Sequence, residues 1–174
     1  MKVADWLAKW LAAKDIRHAF GIIGAGNVSL FDAIARLGKT EIVPVHHEQA
    51  AAMAATYYWR TCGRLAAVLA TTGAGSSNTL TGVLAAYMDS IPLLVISGNE
   101  PTKYIHRDRF NRVLGVQGYH SHRVVEEMTK MSVRAMGPDD AVTMLEESYT
   151  EALTPRFGPV WVDLPRDVQT MEVT

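Results

Sequence analysis

Residues 65–78 read Leu-Ala-Ala-Val-Leu-Ala-Thr-Thr-Gly-Ala-Gly-Ser-Ser-Asn, an apolar run that ends in a loop of glycines and hydroxyl side chains. The run Leu65–Thr71 shows no polar alternation, so it is expected to be a strand covered on both faces. Gly73 and Gly75 then allow close backbone approach and leave free N–H groups where the next helix starts. Pro92–Ser97 repeats the wholly apolar pattern. Other strands are expected at Arg17–Gly21, Ile42–Val45, Met131–Ala135 and Pro159–Leu164, with helices near 28–37, 48–62, 76–89 and 138–153. Strands alternating with helices predict an α/β fold with a mainly parallel sheet.

The chain has 174 residues, enough for a single domain over 1–174. Its net charge is −1 with both signs interspersed, which gives neither a nucleic-acid surface nor a polybasic membrane patch. Cys62 is the only cysteine, so no internal disulfide can form and a cytoplasmic setting is expected. No apolar run reaches the roughly 20 residues of a spanning helix. The start, MKVADWLAKWLAAK, is interrupted by Asp5, Lys9 and Lys14 and lacks a signal-peptide core. Val3, Trp6, Leu7, Trp10 and Leu11 fall on one helical face. A first helix packed on its own domain accounts for them better than a membrane-surface helix, because the polar face is not strongly basic. Residues 99–123 are polar and rich in His and Arg, and are expected to form a functional loop or to hold a short helix.

Chemistry in an open parallel sheet sits beyond the carboxyl ends of the strands. Three segments fall there: Gly21–Gly26, His46–Glu48 and Thr71–Asn78. Gly24-x-Gly26 begins a dinucleotide fingerprint, but Ser29 stands at the third glycine position, and a tight βα turn is the simpler reading. Gly73-Ala74-Gly75 lacks the lysine of a P-loop. A zinc-protease motif fails because Ala51 stands where the second histidine is needed, and no Cys or carboxylate cluster joins His46 and His47. Ser76-Ser77 and His120-Ser121-His122 lack the nucleophile-elbow context. Glu48 opens an Ala- and Met-rich helix. A carboxylate at a helix dipole is one account of it. The small-residue start suits close packing instead, which would bury the carboxylate.

Taken in order, these segments resemble the N-terminal, pyrimidine-binding domain of the thiamine-diphosphate decarboxylase and carboligase family, closest to acetolactate synthase. The likeness runs from Asp5 to about Gln169. Phe20-Gly21, Gly24 and Asp32-Ala33 are similar to the first glycine loop, with Ile23 and Ser29 replacing prolines. His47-Glu48-Gln49-Ala50-Ala51 matches the family's histidine-glutamate segment, with His46 in place of an arginine. Thr72-Gly73-Ala74-Gly75-Ser76-Ser77-Asn78 is similar to its serine-glycine-proline-glycine…asparagine loop. Thr81-Gly82, Asp89-Ser90 and Pro92 match in register. Gln117 takes the place of its phenylalanine-glutamine loop, with Val116 for the phenylalanine. Gly158-Pro159-Val160 and Leu164-Pro165 through Gln169 match the close of the domain.

The resemblance implies a three-layer α/β/α sandwich around a mainly parallel six-stranded sheet. It implies that Glu48 hydrogen-bonds the cofactor's aminopyrimidine and so promotes loss of the thiazolium C2 proton, ahead of attack on a 2-keto acid. Gln117 would join it in catalysis. Gly24, Ala25, Glu48, Thr72, Gly73 and Asn78 would hold thiamine diphosphate, and Ile23 and His120 would face the substrate. No residue of this chain is expected to bind metal. The family holds the diphosphate and Mg²⁺ on a separate domain marked by Gly-Asp-Gly, which does not occur in this sequence. The chain is therefore expected to work with a diphosphate-binding partner, as a dimer or heterotetramer, and a separately encoded subunit is favoured over a fragment. Two rival readings stay open: a catalytically silent scaffold of the same fold, and an NAD- or FAD-binding α/β domain.

Overall fold

The computed structural model describes residues 1–105 and 112–173. Six strands form one wholly parallel sheet: β1 (His18–Gly21), β2 (Glu41–Pro44), β3 (Ala67–Ala70), β4 (Leu93–Asn99), β5 (Met131–Arg134) and β6 (Pro159–Pro165), in the spatial order β2-β1-β3-β4-β6-β5. The α-helices are α1 (Val3–Ala13), α2 (Val28–Leu37), α3 (Glu48–Cys62), α4 (Ala74–Ser77), α5 (Leu80–Met88), α6 (Ser121–Val124) and α7 (Pro138–Ala152).

The central strands are apolar throughout because both faces are covered. Leu94 and Ile96 of β4, with Val160 and Val162 of β6, pack in the core that includes α1, α2 and α7. Their sequence neighbours Leu93, Val95 and Trp161 pack with Ala51, Ala52 and Ala55 of α3 and Val83 and Ala86 of α5. Successive strand residues point to opposite faces, so two helical layers sandwich the sheet. On α1, Val3, Leu7, Trp10 and Leu11 are buried, as expected for a helix packed on its own domain.

The expected strands and helices are present, with ends displaced by up to two residues. One helix differs in kind. The stretch expected to be continuous over 76–89 breaks into α4 and α5 at Asn78–Thr79. The Thr79 hydroxyl donates to Ser76 O at 2.7 Å and the Ser76 hydroxyl to Gly73 O at 2.9 Å. These local side-chain bonds compete with the helical ladder. The segment 99–123 proves to be both loop and helix. A 3-10 turn at Thr102–Tyr104 and a Leu114–Gly118 bridge precede α6, while residues 106–111 lie outside the described residues.

α3 and α5 meet almost backbone to backbone. A Cβ on Gly82 would stand 2.5 Å from Ala52 Cβ and 3.1 Å from Met53 N. This contact fixes the tilt of α3 and therefore where its first residue, Glu48, points. Gly82→Val is expected to cost about 1–3 kcal/mol by overpacking, read as a lower midpoint in urea unfolding with an unchanged slope.

Candidate functional site at the carboxyl ends of β1 and β3

The strand order reverses direction between β1 and β3: the chain leaves β1 for β2 on one side and continues from β3 to β4 on the other. Loops that diverge from such a switch point leave a crevice between them. The first glycine loop and the Thr71–Asn78 loop flank this one.

α3 starts at Glu48 because His47 caps it. The His47 backbone is extended, and its Nδ1 accepts from the Gln49 N–H at 3.2 Å. His46 and His47 are exposed, whereas Glu48 keeps only 8% of its surface. Asn78 Nδ2, at the break between α4 and α5, donates to Glu48 Oε2 at 3.0 Å. A Cβ on Gly75 would lie 3.0 Å from Glu48 Oε1 and 2.5 Å from Thr71 Cγ2, so only glycine leaves room for the carboxylate. Among the described residues, Oε1 has no hydrogen-bond partner and remains a free acceptor. A buried carboxylate with one oxygen fixed by an amide and the other unclaimed is suited to take a ring N–H. This is the fit expected for an aminopyrimidine.

Gly73 adopts φ +71 and ψ −126, a conformation that side-chain-bearing residues rarely reach. Gln117 packs directly on it, and Gln117 Nε2 donates to Thr72 O at 3.3 Å. The Tyr119 hydroxyl lies 3.0 Å from Ser76 Oγ, and burial pushes the Tyr119 phenol up, which keeps it neutral.

The first glycine loop is packed rather than open. The Gly24 N–H donates to Asn27 Oδ1 at 2.8 Å and the Gly26 N–H to Thr71 Oγ1 at 3.1 Å. A Cβ on Gly24 would meet Thr71 at 2.4 Å, and one on Gly26 would meet Thr72 Oγ1 at 2.0 Å. These glycines serve loop-to-loop contact, and the amides a dinucleotide phosphate would need are already engaged. Ala25 and Ile23 are exposed on this loop, Ile23 at 57%.

The structure thus gathers Glu48, Asn78, Thr72, Gly73 and Gln117 around one loop, with Gly24 joined to it through Thr71. His120 belongs to a different group. Its Nδ1 lies 3.1 Å from Arg134 Nη1, in a cluster centred on the fully buried Asp163. Thr71 and Tyr119 lie within segments already singled out from the sequence, Thr71–Asn78 and 99–123, though without a role of their own, whereas Arg134 and Asp163 fall in expected strands and carried no expectation. A usable signal existed for Asp163, a lone carboxylate inside the otherwise apolar strand Pro159–Pro165. Among the described residues, no group of three or more His, Cys, Asp or Glu is placed to hold a metal ion. No helix among them is long and apolar enough to cross a membrane.

A family model described as "Thiamine pyrophosphate enzyme, N-terminal TPP binding domain" matches residues 1–120. The chain belongs to this family. Its similarity to acetolactate synthase large subunits covers nearly all of its length. It is 34% identical to the acetolactate synthase large subunit of Buchnera aphidicola subsp. Schizaphis graminum over 95% of the chain and 28% of that protein. The figures are the same for the isozyme 3 large subunit of Escherichia coli K12. The probable acetolactate synthase large subunit of Methanocaldococcus jannaschii is 33% identical over 99% of the chain and 28% of that protein. The chain therefore spans a little over a quarter of the length of these relatives. Within a thiamine-pyrophosphate enzyme N-terminal domain, the Thr71–Asn78 loop packs against a largely buried carboxylate, Glu48, that it binds through Asn78 alone.

His122, in the Asp163 cluster, carries a pH signature. Its Nδ1 has no hydrogen-bond partner among the described residues and lies 3.9 Å from Asp163 Oδ2. Burial, then the charges of Arg134, His120 and Arg123, push its pKa down to about 4. The folded state therefore holds a neutral ring where the unfolded chain, with an ordinary histidine near 6.5, binds a proton. Its contribution to stability is full above about pH 6.5 and is lost as the pH falls toward 4. Allowing for the fifth of the side chain that solvent reaches, the wild type should lose about 1–2 kcal/mol more than His122→Asn between about pH 7.5 and 5, by urea unfolding.

Proposed function

We propose that this chain forms the pyrimidine-side half of a thiamine-diphosphate active site in a 2-keto acid decarboxylase or carboligase of the acetolactate synthase type. The observation that carries this reading is the buried Glu48 carboxylate, tied to Asn78 through one oxygen and open over Gly75 through the other.

Glu48 would receive the aminopyrimidine ring nitrogen at Oε1 and share a proton with it there. Asn78 holds the carboxylate at a fixed angle, so little reorganisation accompanies proton movement. Exclusion of water by the alanine face of α3 strengthens that hydrogen bond. The main chain of Thr72 and Gly73, with Gly24 and Ala25 across the crevice, would bound the pyrimidine. Ile23 and Gln117 would face the 2-keto acid. The bound cofactor supplies a carbon nucleophile and an electron sink for decarboxylation. Its diphosphate and Mg²⁺ would be held by a diphosphate-binding domain, carried on the same polypeptide or on a partner subunit in a dimer or heterotetramer. A cytoplasmic enzyme accords with the single cysteine, Cys62.

The silent-scaffold reading predicts a different outcome from the same variant. With the diphosphate-binding domain present, Glu48→Gln is expected to lower 2-keto acid turnover by about 10²–10⁴-fold while leaving the thermal midpoint within a few degrees. Turnover equal to wild type would make this domain a scaffold. The chain without that domain should turn over no 2-keto acid.

A further inference from the structure

Gln117 and Tyr119 reach the Thr71–Asn78 loop from a short arm, residues 117–120. The arm has few apolar anchors: Gln117 is exposed, and Tyr119 and His120 are half-buried. Gly118 is paired with Leu114 by two backbone hydrogen bonds of 2.8 Å, and Tyr119 and His120 are tied to the sheet by a polar cluster at the carboxyl ends of β4, β5 and β6. The Tyr119 carbonyl accepts from Asn99 Nδ2 at 2.9 Å and from Arg134 Nη2 at 2.7 Å. Arg134 Nε donates to Asp163 Oδ2 at 2.6 Å, and Arg134 Nη1 lies 3.1 Å from His120 Nδ1. Asp163 also accepts from Asn99 Nδ2 at 2.8 Å and from the Ser97 hydroxyl at 3.2 Å.

Every guanidinium nitrogen of Arg134 is therefore committed, one to the sheet and two to the arm. We propose that Arg134 is a positioning residue, held by Asp163, that fastens residues 117–120 in place through the Tyr119 carbonyl and the His120 ring, so that Gln117 rests on Thr72 and Gly73. Its relevance to substrate rests on the reading that Gln117 faces the 2-keto acid.

The His120 contact adds a condition. A guanidinium has only donors, so His120 Nδ1 must be the acceptor and the ring must be neutral. Among the described residues, the charged and titratable groups around His120 are Arg134 from β5, Asp163 from β6, and Arg123 and His122 from α6. Burial, followed by the Arg134 and Arg123 charges, holds the His120 pKa below its ordinary value and keeps the acceptor available near neutrality. Protonation would turn this contact into a repulsion and release one of the two ties that Arg134 makes to the arm.

Arg134→Lys separates anchoring from folding. A lysine can still pair with Asp163, but one ammonium cannot also serve the three directions of the guanidinium fork. Amide deuterium exchange on the full chain is expected to rise by about tenfold or more over residues 117–121, with β3, β4 and β6 unchanged. Lowering the pH should, after correction for intrinsic rates, loosen the wild-type arm and leave the variant's arm as it was. Unchanged protection at 117–121, or loss spread evenly over the sheet, would overturn the proposal. If Arg134→Lys does not fold, Arg134→Met with Asp163→Asn removes both charges together, and the same exchange pattern is expected. In the enzyme assembled with its diphosphate-binding domain, Arg134→Lys should raise the KM for 2-keto acid by about fivefold or more with a smaller change in kcat. A loosened arm with an unchanged KM, matched by an unchanged KM in Gln117→Ala, would leave the anchor standing and remove Gln117 from the substrate side.

Discussion

The site depends on the missing Cβ of Gly75. A carboxylate is costly to bury unless its surroundings accept it. Here the room is made by a glycine: Glu48 Oε1 and the Thr71 methyl occupy the volume that any other residue would need. Asn78 then fixes Oε2. Asn78 can turn back to Glu48 because the helix is interrupted there by the hydroxyls of Ser76 and Thr79. α3 can bring Glu48 in this close because Gly82 lets the helix lie against α5. Two glycines and a broken helix together define the direction of one oxygen.

The same logic assigns different work to the two glycine loops. In the first, the space around Gly24 and Gly26 is filled by Thr71 and Thr72, and both amides are engaged inside the protein. That loop braces the crevice. A Cβ on Gly98 would also fall 1.9 Å from Gly26 O, and Gln169 Nε2 donates to the same carbonyl at 2.7 Å. The loops following β1 and β3, the last residues of β4 and the segment after β6 are thus locked to one another. In the second loop, Gly73 and Gly75 make room for Gln117 and Glu48, the two residues to which the proposed function gives the chemistry.

The layered fold was legible because its signals are local. Unbroken apolar runs at 65–71 and 92–97 report strands covered on both faces, and the structure alternates Leu93, Leu94, Val95 and Ile96 between two cores. Glu48 was legible from its neighbours, since an alanine-rich helix start implies close packing. The helix break at Asn78 was not, because Ser and Thr fit a helix start as readily as an interruption. The cluster around Asp163 was hidden for another reason. Arg134, Asn99 and Tyr119 meet it across separations of 29, 64 and, from Asn99 to Tyr119, 20 residues, which no periodicity encodes. For the same reason the contact of His120 with Arg134 was not legible in the sequence.

In the function proposed for this chain, Glu48 moves a proton for the cofactor and is more than a buried structural acid. Exchange of the thiazolium C2 proton for deuterium, followed by NMR in the complex of this chain with its diphosphate-binding domain, tests it without requiring a substrate. Exchange is expected to be about 10²–10⁴-fold faster with Glu48 than in Glu48→Gln at equal cofactor occupancy. Equal exchange rates in the two proteins would make Glu48 a structural acid with no part in cofactor activation.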